Sequence, residues 1–138
     1  MRPLLRLIPA LTLASVALVA QAAMGQSTTY NYRDDDGPGR LVVEDVGPAE
    51  GVEGGRQIRA TFTQGGRTFP GSGFTLWVVQ GAPATTVWAF TISTPRGAYY
   101  FQGTTRSGIV PGASGGGIYH RVDAPLQKER WSVEEKIR

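Results

Sequence analysis

RQIRATFTQ, residues 56–64, decides the fold class. Ile58, Ala60 and Phe62 share one parity; Arg59, Thr61 and Thr63 share the other. Strict alternation of this kind turns one face of a β-strand to a core and the other toward water. The segment runs into Gln64-Gly65-Gly66, where glycine can supply the positive φ of a tight turn. TVWAFTIST (86–94) repeats the alternation with Trp88, Phe90 and Ile92, and GIYHRVD (117–123) with Ile118, His120 and Val122. LVVEDV (41–46) and FTLWVVQ (74–80) are apolar on consecutive positions and read as strands covered on both faces.

Between these runs stand Asp36-Gly37-Pro38-Gly39, Pro70-Gly71-Ser72-Gly73, Gln80-Gly81-Ala82-Pro83, Pro95-Arg96-Gly97 and Pro111-Gly112, each read as a turn. The spacing predicts strands over 28–33, 40–46, 56–64, 73–80, 86–94, 98–104 and 117–123. An eighth is expected at 128–134, where Trp131 and Val133 alternate. With 19 glycines and nine prolines, a helical bundle is excluded. The expectation is an all-β domain, a small antiparallel β-sandwich or barrel of about seven to eight strands with meander or Greek-key connections.

The first residues carry a different pattern. Arg2 and Arg6 precede an apolar run, Leu11 to Ala20, and Ala20-Gln21-Ala22 places small residues where a signal peptidase reads them. Residues 1–22 are therefore expected to be a cleaved signal peptide, and 23–138 a single secreted or periplasmic domain without an integral membrane span. The run is shorter than the roughly 20 residues of a spanning helix. Of 14 basic residues the leader takes two, leaving 12 against 11 acidic ones, so little charge drives the domain toward nucleic acid. There are no cysteines, which removes thiol catalysis, cysteine-ligated metals and disulfides.

One stretch invites a catalytic reading. PGASGGGIYH (111–120) contains a literal G-x-S-x-G around Ser114, followed by the chain's one histidine, His120. A nucleophile elbow needs a strand, a strained turn and then a helix. Here more glycine and a strand follow, so the stretch is expected to be a glycine-rich hairpin connection and no catalytic residue is assigned. Asp34-Asp35-Asp36-Gly37 lacks the alternate-position ligand spacing of a calcium loop. A lone histidine without cysteine is a poor start for a transition-metal site, and no metal or cofactor is expected.

The aromatic residues suggest a binding face. If Leu76, Phe90, Phe101 and Ile118 form the main core, then Trp77, Tyr100 and Tyr119 fall on the second face, each with an apolar body and a polar handle. Arg59 and Arg121 share that parity in their own strands, and His120 stands at the rim. The expected function is a noncatalytic module binding a small apolar or glycan ligand or an envelope protein. The alternative is an envelope assembly protein acting through strand edges.

Overall fold

The structure, a computed structural model, describes residues 26–78, 84–107 and 112–136. The expected signal peptide and the turn at Gln80–Pro83 lie outside the described residues. Eight strands run in chain order: β1 (Ser27–Asp34), β2 (Gly37–Pro48), β3 (Gly55–Gln64), β4 (Arg67–Val78), β5 (Ala84–Thr94), β6 (Gly97–Ser107), β7 (Ala113–Arg121) and β8 (Glu129–Glu135). Each pairs antiparallel with the next, and β8 returns to β1, so the meander closes into a barrel. The closed ladder leaves no free edge among the described strands. Every described strand has a partner on both sides, which argues against strand addition at an edge, the route behind the assembly alternative.

Three connections at one end are two residues long: Asp35-Asp36, Gly65-Gly66 and Pro95-Arg96. Gly65 and Gly66 both have positive φ, 60° and 76°, which matches the twist of the flanking strands. Two expected turns are instead strand interior. Pro38-Gly39 lies in β2 and Pro70-Gly71-Ser72-Gly73 in β4. Pro70 is tolerated because β5 pairs with β4 only from Gly71 onward, so the ladder on that side has already ended.

The barrel is filled. Tyr32, Leu41, Ala60, Trp88, Phe90, Ile92, Phe101 and Trp131 are among the side chains buried inside it. Phe90 stacks on Phe101 with centroids 4.9 Å apart, and Phe101 stacks on Tyr119 at 4.9 Å. Trp131 stands edge-on to Phe90 at 5.8 Å. The outward faces of β1 to β3 carry Arg33, Arg40, Glu44, Arg59 and Thr61 instead. On these three strands the apolar side chains face in and the charged ones face out, while the outer face of β4 and β5 also exposes Phe74, Leu76 and Val87.

The predicted core is half corrected. Phe90 and Phe101 face inward, but Leu76 and Ile118 face out. Leu76 is 37% exposed, beside Phe74 at 56%. The inward positions of β4 are Gly71, Gly73 and Thr75, opposite Ile92, Phe90 and Trp88 on β5. A Cβ at Gly73 would come within 2.6 Å of Phe90 Cα and Cβ, so the large residue there has to come from β5. In β7 the inward row is Gly115, Gly117 and Tyr119, which reverses the expected faces of Ile118 and Tyr119.

One buried polar contact ties β5 to β6 inside the barrel. Trp88 Nε1 donates to Thr105 Oγ1 at 2.8 Å, and Thr105 is 3% exposed. Thr105→Val keeps the volume but leaves the indole N–H without an acceptor. The expected loss is about 1–3 kcal/mol, read from urea unfolding with an unchanged m-value.

Candidate functional site

The end bearing the three tight turns is also closed over by the β7–β8 connection, residues 122–128. A cavity of about 490 Å3 opens there, within the range of small-molecule sites. Its walls include Phe62, Phe69, Tyr99, Phe101 and Tyr119, the ends of strands whose alternation points them inward. Below them the packed aromatic core blocks the barrel, so this is a cup and not a channel.

Carboxylates and phenols organise one side of the cup. Asp34 ends β1. Its Oδ2 accepts from Tyr32 OH at 2.7 Å, and its Oδ1 from Gln64 Nε2 and the Asp36 amide, each at 2.8 Å. Gln64 Nε2 also donates to Gly37 O at 3.0 Å, tying the β1–β2 turn to β3. At the start of β8, Glu129 Oε2 accepts a short hydrogen bond from Tyr119 OH. Burial first, and then the hydrogen bond to a carboxylate, push the Tyr32 and Tyr119 phenols far above the usual tyrosine range. Both phenols are held as hydrogen-bond donors to these carboxylates.

The basic residues sit elsewhere on the rim. Arg67 and Arg96 line the cup and make no ion pair among the described residues. Arg121 is already committed: its guanidinium holds Asp123 at 3.1 Å and donates to Arg96 O at 3.0 Å.

The six candidate residues do not form one site. Tyr119, His120 and Arg121 do reach the cup. Tyr119 does so from the core side, 6% exposed. Tyr100 faces outward, 5.7 Å from the His120 ring, and His120 Nδ1 lies 2.8 Å from Arg121 O. Trp77 shares the inward parity of β4 but is 57% exposed, at the far end of that strand from the cup. Arg59 is on the outer wall, 3.4 Å from Glu44. Asp34, Gln64, Arg67, Phe69, Arg96 and Glu129 were missed. The signal that could have found them is that residues flanking alternate turns of a meander gather at one end of its barrel.

The G-x-S-x-G is strand, where a hairpin connection was expected. Ser114 is exposed in β7, paired with Arg106 and Glu134. His120 is six residues further along the same strand, roughly 20 Å away at strand rise, so the two cannot act as nucleophile and base. No group of three or more His, Asp or Glu side chains among the described residues is placed to hold a metal ion.

The site and fold together define a class: a small up-and-down barrel with a packed interior and an aromatic-walled cavity at one end. Compared with family models, curated proteins and solved structures, the chain finds no match.

Proposed function

We propose that this chain is a noncatalytic binding module, secreted or periplasmic, whose barrel mouth seats a small ligand by burying its apolar body. The observation that carries the reading is the cup of about 490 Å3 walled by aromatic side chains above a filled barrel. A site of this kind gains affinity from apolar area removed from water, with a few polar groups setting orientation. The leader pattern in residues 1–22 supports export. The charged outer faces of β1 to β3 support a domain in water on that side.

The test uses an anilinonaphthalene sulfonate dye, which fluoresces in apolar sites. The folded protein is expected to bind one dye per monomer. Phe69→Ala, at a half-buried wall position, is expected to weaken binding about tenfold while the melting curve stays cooperative. Binding that is undetectable, or indifferent to Phe69→Ala, overturns the assignment of the cup.

A further inference from the structure

Charge is distributed unevenly around the mouth. Asp34 and Asp36 belong to the β1–β2 hairpin, and Glu129 opens β8, which pairs with β1. These carboxylates form one arc. Arg67 opens β4, paired with Gln64 and lining a neighbouring pocket together with Asp36, and Arg96 lies in the β5–β6 turn, farther round the closed ladder. Arg121 is neutralised by Asp123. Phe62, Phe69, Tyr99, Phe101 and Tyr119 line the same cup.

The acidic arc is oriented without being neutralised. Asp34 takes all its hydrogen bonds from neutral donors, Tyr32, Gln64 and a backbone amide. Glu129 is held by a neutral phenol. Neither carboxylate has a cationic partner among the described residues, and neither do Arg67 and Arg96 have an anionic one. Unpaired charges of both signs around one aromatic-walled cup match a ligand that carries both signs and apolar bulk.

We infer that the ligand is a short peptide of two or three residues with free termini and at least one aromatic side chain. Its ammonium would face Asp34, Asp36 and Glu129, and its carboxylate Arg67 and Arg96. Two or three extended residues span roughly 7–10 Å. Aromatic faces beside the ammonium would add cation–π attraction. This inference rests on the cup being a ligand site, as proposed above.

Calorimetric titration with phenylalanyl-phenylalanine, its C-terminal amide and its N-acetyl form tests it, with the dye as reference. The free dipeptide is expected to bind, and blocking either end to weaken binding at least tenfold. The double variant Arg67→Gln/Arg96→Gln is expected to weaken the free dipeptide by a similar factor and leave the amide unaffected. Equal affinity for all three peptides overturns the inference, as does dye binding without peptide binding; in both cases the cup remains a ligand site. Failure of dye and peptides alike removes the reading underneath.

Discussion

Gly117→Val is expected to destabilise the barrel severely, while Ser114→Ala, three residues away, is expected to change nothing measurable. Gly117 faces Gly103 across β6–β7 and Trp131 across β7–β8. A Cβ at Gly117 would lie 2.0 Å from Gln102 O and 2.6 Å from Gly103 Cα. Both obstacles are backbone, so no side-chain rotation can relieve them. The missing side chains also make room for the Trp131 indole. Its Nε1 donates to Ile118 O at 3.0 Å and to Gln102 O at 3.3 Å, the carbonyls beside this glycine pair. A Cβ at Gly103 would come within 2.9 Å of the indole.

Valine at 117 therefore acts twice. It pushes β6 from β7, and it displaces Trp131 from its contacts with Phe90, Phe101 and Tyr32. Overpacking usually costs about 1–3 kcal/mol. Adding a lost aromatic contact and a strained ladder brings the expected loss to roughly 4 kcal/mol or more, against a typical total of about 5–15 kcal/mol. Urea unfolding followed by tryptophan fluorescence measures both variants. A Gly117→Val midpoint within error of the parent would mean that β6 and β7 do not approach as closely as the structure has them.

These glycines also mark where the sequence stops being readable. In 56–64 and 86–94 the apolar and polar parities are distinct, so strand, face and core residues could all be read from the alternation. In FTLWVV both parities are apolar. Nothing local says that Phe74 and Leu76 face out, because the deciding neighbours, Phe90 and Ile92, lie on β5. The run Gly115-Gly116-Gly117 looks like a turn because glycine is the residue of turns. Here its use is close approach, and the reason for that approach is Trp131 on β8. Closure of β8 on β1 is likewise a property of strand count and stagger, to which alternation is blind. The cup inherits this: Asp34, Gln64, Arg96 and Glu129 are far apart in sequence and meet only because alternate connections of a meander share an end.

The phenols buried in the barrel make it fail in alkali. Burial, and then the charge of Glu135, push the Tyr30 phenol up to about 12. Tyr32 and Tyr119 are raised further by burial and by their carboxylate partners. Below the ordinary tyrosine value of 10.0, folded and unfolded chains both hold these protons, and stability does not depend on them. Above it the unfolded chain releases protons that the folded chain keeps, so the balance shifts toward unfolding. Each such tyrosine then removes at most about 1.4 kcal/mol per pH unit, and the three together at most about 4 kcal/mol, with Tyr119 counting for less because it lines the open cup. A domain at the low end of ordinary stability, about 5 kcal/mol, is exhausted between one and two units above pH 10.

The expected result is a cooperative alkaline transition in which circular dichroism and the phenolate absorbance of these three residues change together. Tyr32→Phe/Tyr119→Phe leaves only Tyr30 of the three, so its stability should fall above pH 10 at no more than about 1.4 kcal/mol per unit instead of up to about 4. That shallower slope separates the ionisation of these phenols from a general effect of net charge, which the double variant barely alters. Urea midpoints at half-unit intervals from pH 9 to 12 measure it. Parallel slopes in parent and variant would place Tyr32 and Tyr119 in contact with water, and the floor of the cup would then be open where the structure has it sealed.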